Sequence, residues 1–81
     1  MIGLDLAMKV IYDPEVDTLR IIFTSGAIEE SDEEKPGVII DYDPEGNLVG
    51  MEILEASKRL DNPRSLEYSI REGSSVENSG S

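Results

Sequence analysis

The residues best placed for chemistry are acids. Asp41-Tyr42-Asp43-Pro44-Glu45-Gly46-Asn47, followed by Glu52, follows the spacing of a calcium-binding loop, with Asp41, Asp43, Glu45 and Glu52 as ligands, Gly46 at the sharp turn and Leu48 at its apolar position. Glu45 is one carbon longer than that template asks at its third ligand position. The flanks alternate like strands, whereas a calcium loop of this kind needs helices. The same residues also read as a hairpin turn, with Gly46 supplying the left-handed residue. Asp13, Glu15 and Asp17 form a second acidic turn, whose plain reading is a solvated, self-capped loop.

Other chemistries find little support. The sequence has no histidine and no cysteine, which removes the commonest general base, a thiol nucleophile and the usual zinc ligands. Ser57 and Lys58 are adjacent, so on a helix they point about 100° apart and make no ready dyad. Gly46 and Gly50 fall in a turn and a strand pattern and form no phosphate-cradling loop. Paired carboxylates need a shaped cleft to hydrolyse anything, and a chain this short offers little room for one. The expectation is a chain that is not an enzyme and carries no cofactor, with a carboxylate metal binder as the alternative and a small enzyme behind it.

Two hairpins supply the frame for these acids. Met8, Val10 and Tyr12 alternate with Lys9, Ile11 and Asp13, and Leu19, Ile21 and Phe23 alternate along Thr18 to Thr24. The Asp13-Pro14-Glu15-Val16-Asp17 turn joins these two runs. Gly37 to Asp43 and Leu48 to Ile53 form a second pair across Pro44-Glu45-Gly46-Asn47. The period then changes: Ile53, Ala56, Ser57 and Leu60 share one face of a helix of about two turns, which Asn62-Pro63 ends. Glu55 is spaced to pair with Arg59 on that helix. The predicted fold is α+β: a four-stranded antiparallel β-meander of two hairpins followed by one short C-terminal helix. Ser65 to Ile70 alternates weakly and offers an additional edge strand. The expected domain covers residues 8–70, with a flexible arm over 1–7 and a disordered polar tail over 71–81.

Charge sets the choice of partner. The 81 residues carry a net charge of −11, which opposes binding to nucleic acid and to anionic membranes. The acidity belongs to the middle of the chain: residues 29–55 hold ten acids and one base, whereas 56–81 hold four of each. Glu29, Glu30, Asp32, Glu33 and Glu34 are the densest run. Its plain reading is a solvated loop or ragged edge strand; its functional reading is a docking surface for a basic protein partner. No apolar run approaches the ~20 residues of a membrane span. The N-terminus lacks the basic start and apolar core of a signal peptide, so the expected location is cytoplasmic.

The linked motifs resemble a family of short uncharacterised prokaryotic proteins, the domain of unknown function numbered twenty-two eighty-three. The resemblance rests on Tyr12, Asp13, Asp17 and Leu19, then the acids Glu29 to Glu34, then Gly37, Val38, Ile39, Asp41, Tyr42 and Asp43. Gly46, Leu48, Val49, Gly50, Glu52, Ile53, Leu54, Ala56 and Ser57 complete it. It covers about residues 8–60 and brings no activity, cofactor or catalytic residue with it. It raises an antitoxin-like pairing with another small protein as one role.

One physical consequence follows from the pattern alone. The face carrying Met8, Val10, Tyr12, Leu19, Ile21, Phe23, Val38, Ile40, Tyr42, Val49, Met51 and Ile53 is the expected core. Only Ala56, Leu60 and Leu66 are available to cover it. A leftover apolar patch marks a binding surface, so self-association or a basic protein partner is expected. Asp41 and Glu52, on the opposite parity, are expected to face solvent.

Overall fold

The computed structural model describes residues 7–72. Five strands form one antiparallel sheet: β1 (Lys9–Asp13), β2 (Thr18–Ile22), β3 (Glu30–Lys35), β4 (Val38–Tyr42) and β5 (Leu48–Leu54), followed by a single helical turn, α1 (Ala56–Arg59). The order across the sheet is β1-β2-β5-β4-β3. The architecture is an antiparallel sheet with one short helix, and it corrects the four-stranded meander in two respects.

First, there is a fifth strand, and it is the acidic run. β3 reads Glu-Ser-Asp-Glu-Glu-Lys with every residue exposed, and it pairs antiparallel with β4 through its backbone. An edge strand needs no apolar face to be held by hydrogen bonds, so no period-two apolar signal marks it. Second, β2 lies beside β5 rather than beside β4. Residues 23–29 carry the chain to the far edge, and β3, β4 and β5 return by hairpins to the centre. β5 is the longest strand and the most apolar central position, flanked on both sides by Leu, Ile and Val residues of β2 and β4.

The registers align one apolar face. Val10 opposes Ile21, Tyr12 opposes Leu19, Leu19 opposes Ile53, Ile21 opposes Met51, Ile40 opposes Met51 and Val38 opposes Ile53. An irregularity in the β4–β5 register, where Asp41 opposes Gly50 but Tyr42 opposes Leu48, leaves Val49 over. Val49 is buried, and its carbonyl accepts from the amides of Phe23 and Thr24.

Two glycines make the close approaches possible. A Cβ at Gly50 would lie 3.0 Å from the Ile21 carbonyl oxygen and 3.2 Å from Asp41 Oδ2. Gly37 has φ 82, and a Cβ there would strike the Arg59 guanidinium. The Arg59 Nε donates to the Leu54 carbonyl at 3.0 Å, so Arg59 closes the end of β5 and does not pair with Glu55 as its spacing suggested. Glu55 instead meets Lys58 at 3.9 Å, on the surface. The helix is one turn, not two, because Glu55 takes a left-handed φ of 52 directly before it and Leu60 is already extended.

Ser65 to Ile70 forms no regular element and pairs with no strand of the described sheet. Apart from Ala7, Arg71 and Glu72, the arm expected over 1–7 and the tail expected over 71–81 lie outside the described residues.

Candidate interaction surface

The turn between β1 and β2 fixes the helix onto the sheet. Asp17, at φ 53, uses both carboxylate oxygens. Tyr12 Oη donates to Oδ1 at 2.6 Å, the Ser57 amide donates to the same oxygen at 3.0 Å, and Ser57 Oγ donates to Oδ2 at 2.7 Å. The Asp17 carbonyl accepts from the Ala56 amide at 2.9 Å, and Ala56 is fully buried. Hydrogen bonds from Tyr12 and Ser57 hold the Asp17 carboxyl below its ordinary value, and the bond to Asp17 raises the Tyr12 phenol. A carboxylate stabilised as an anion is a poor base, and a phenol held protonated is a poor nucleophile. The Tyr12–Asp17–Ser57 trio is therefore a clamp. Sequence reading took Asp17 for part of a self-capped turn; the Ser57 contact spans 40 residues, and no local spacing reports it.

The candidate metal ligands are held apart. Asp41 is buried, against the expectation that it faces solvent, because Gly50 leaves room for its carboxylate and Ser31 Oγ donates to Oδ1 at 2.6 Å. Asp43 caps its own turn, accepting at Oδ1 from the amides of Glu45 and Asn47 at 3.0 and 2.7 Å, and the Asn47 amide bond leads the causes that lower its carboxyl. Glu45 is exposed in that turn. Glu52 is half-buried and pairs with Arg20 at 3.2 Å. Asp41 and Glu52 share a face, but among the described residues no group of three acids gathers to hold a metal.

The acidic run is brought into one row. Glu30 and Asp32 oppose Tyr42 and Ile40, Glu34 falls at the irregularity between Glu33 and Lys35, and Glu33 turns to the opposite side and accepts from the Gly37 amide at 2.8 Å. Glu34 accepts from Tyr42 Oη at 3.0 Å, which raises the Tyr42 phenol. Glu29 lies just before the strand, its amide bonded to the Tyr42 carbonyl.

The apolar face is the dominant feature. Among the described residues only Val49 and Ala56 are buried hydrophobic side chains, and no large side chain is fully buried. Val10, Leu19, Ile21, Ile40, Met51 and Ile53 are all half-buried. Residues 60–66 lie over the β1–β2–β5 part of this face and leave a groove of about 370 Å³, lined by Val10, Leu19, Ile21, Ile53, Leu60 and Leu66. A depression of about 300 Å³ adjoins it between Tyr12, Pro14 and Arg64. Leu66 is the expected cover, yet it is 68% exposed.

The family described as protein of unknown function (DUF2283) matches residues 9–57. The chain belongs to that family. The DUF2283 match spans the whole sheet and the Asp17–Ser57 clamp, and ends before the groove's outer wall. An uncharacterized protein of Methanocaldococcus jannaschii is 38% identical over 53 residues, which cover 65% of this chain and 45% of that relative. The chain thus spans less than half the length of this relative. No solved structure matches. No helix among the described residues is long and apolar enough to cross a membrane.

Proposed function

We propose that the chain is a non-catalytic protein-interaction module whose apolar sheet face is completed by a second polypeptide. The observation that carries this reading is the unsealed face. A fully buried Leu, Ile or Phe contributes about 1.5–3 kcal/mol, and this sheet leaves six aliphatic side chains half-covered. The groove is lined mostly by side-chain hydrocarbon, with Asp61 and Asn62 at its margin. Small-molecule sites normally add a few convergent polar groups that fix orientation; the polar lining here is limited to Asp61, Asn62 and Ser65, which favours an apolar protein segment as its occupant. The acid row on β3 sets the sign of the surroundings, favours a basic partner and hastens encounter at low salt. An antitoxin-like role is one form of this reading, and a cytoplasmic setting suits it.

Light scattering coupled to size exclusion tests the reading, with a pull-down against basic small proteins encoded nearby. The expected result is a mass above that of one chain at micromolar concentration, or a stoichiometric complex with such a partner. A monomer throughout, with no complex, would contradict it. The metal reading is tested separately: a ligand at 100 times its dissociation constant raises stability by about 2.7 kcal/mol, so a calcium-dependent melting temperature would revive it.

A further inference from the structure

The groove on the apolar face opens into the depression beside it, and the two ends differ in chemistry. Val10, Leu19, Pro63, Ser65 and Leu66 wall both, so they form one continuous cleft. One end is closed by Ile21, Ile53 and Leu60, with Asp61 at its margin. The other end holds Tyr12, Pro14 and Arg64.

Arg64 decides what the cleft selects. Acids outnumber bases eighteen to seven in this chain, yet among the described residues the Arg64 guanidinium has no ion-pair or hydrogen-bond partner. It lies over the Tyr12 ring, 5.8 Å from the centroid. A guanidinium over an aromatic face keeps its N–H fork free, and that fork matches a carboxylate in bidentate geometry. The backbone beneath it is fixed: the Arg64 amide donates to Asn62 Oδ1 and the Ser65 amide to the Asn62 carbonyl, both at 3.1 Å. We propose that the cleft takes the C-terminal end of a partner polypeptide, with aliphatic side chains in the groove and the terminal carboxylate on Arg64. The proposal rests on the interaction-module reading and names the part of the partner that enters.

Two features select a chain end. Because the two hollows share their walls, the carboxylate must lie directly beside the aliphatic side chains. In an extended internal segment an acid at the next position points to the opposite side, and one two positions on lies about 7 Å away. A terminal carboxylate continues the main chain just past the last side chain and meets both demands. Charge then sets the direction. Asp61 borders the aliphatic end and is absent from the Arg64 end, so the carboxylate is steered to Tyr12 and Arg64, and the chain leaves past Asp61. Ile40 and Met51 lie outside the cleft and are left for the wider contact with the partner. The family match ends at residue 57, so Arg64 and Leu66 lie beyond what defines the family.

N-acetyl-leucyl-leucine, as the free acid and as its amide, serves as the probe of a chain end. Each is titrated at millimolar concentration while the methyl resonances of Leu19, Ile21 and Ile53 are followed by NMR. The expected result is binding of both forms in the cleft, with the acid about fivefold tighter. Arg64→Gln is expected to bring the acid down to the level of the amide and to leave the amide unchanged, which shows the groove intact. Leu66 is 68% exposed, so Leu66→Ser spares the fold and is expected to weaken both forms alike. Equal binding of acid and amide, or a preference that survives Arg64→Gln, overturns the carboxylate anchor. A mass above one chain in light scattering, while neither form shifts these resonances, overturns the chain-end occupant and leaves the module reading standing. A monomer that forms no complex overturns the module reading, and the chain end with it.

Discussion

The two edges of the sheet differ in every respect that governs strand pairing. β3 presents six consecutive exposed residues, four of them acidic, and a strand approaching it meets a row of like charge. β1 presents Val10, Ile11 and Tyr12 between one base and one acid. Charged edges deter edge-to-edge association, whereas exposed apolar edges invite it. The acid row thus deters a further strand at β3, whereas no such row of like charge guards β1 among the described residues.

The largest effect is expected where both halves of the sheet depend on one residue. Gly50→Ala drives a Cβ to 3.0 Å from the Ile21 carbonyl and 3.2 Å from Asp41; backbone on one side and a buried carboxylate on the other leave little room to yield. A loss of about 3 kcal/mol is expected, read as a lower urea midpoint with both edges destabilised together. Next is Asp41→Asn, which weakens only the β3 side. It replaces the charge-assisted bond from Ser31 and is expected to cost about 1 kcal/mol, with faster amide exchange in β3 and little change in β1.

The β1 side is tested by acid. The Asp17 carboxyl is lower in the folded protein than unfolded, so its contribution is fully present above the ordinary aspartate value of about 4 and is lost as pH falls through the folded value. Asp17→Asn tolerates the left-handed backbone but cannot hold the charge. The variant is expected to be less stable at neutral pH and to show a flatter decline below about pH 4, in urea melts across pH. The opposite limb belongs to Tyr12: its raised phenol adds stability below about pH 10 that is lost above it. The smallest effect is Glu52→Gln. Its pair with Arg20 is about a third exposed, and such pairs contribute about 0–1 kcal/mol.

Much of this was legible in the sequence, and the rest was hidden for definite reasons. Period-two alternation marked β1, β2, β4 and β5 because each has one apolar face. β3 has none, so backbone pairing alone defines it. Placing β2 beside β5 depends on which pairing best buries β5, which adjacent hairpins do not reveal. The calcium-like spacing of Asp41, Asp43, Glu45 and Glu52 is a consequence of a hairpin: the turn uses Asp43 as its cap, the strand buries Asp41 under Gly50, and Arg20 takes Glu52. Asp17 and Ser57 sit 40 residues apart and become neighbours only because β2 packs against β5. The unsealed face, by contrast, followed from counting apolar strand residues against the few that α1 and the following turn can supply.

Amide hydrogen exchange followed at two protein concentrations tests the central claim most directly, since it reads both edges in one unmodified molecule. The account predicts that protection along the apolar face, in β1, β2 and β5, rises on going from low to high micromolar concentration, while β3 exchanges at the same rate in both. Unchanged exchange in β1 across that range, or concentration-dependent protection of β3 instead, would contradict it.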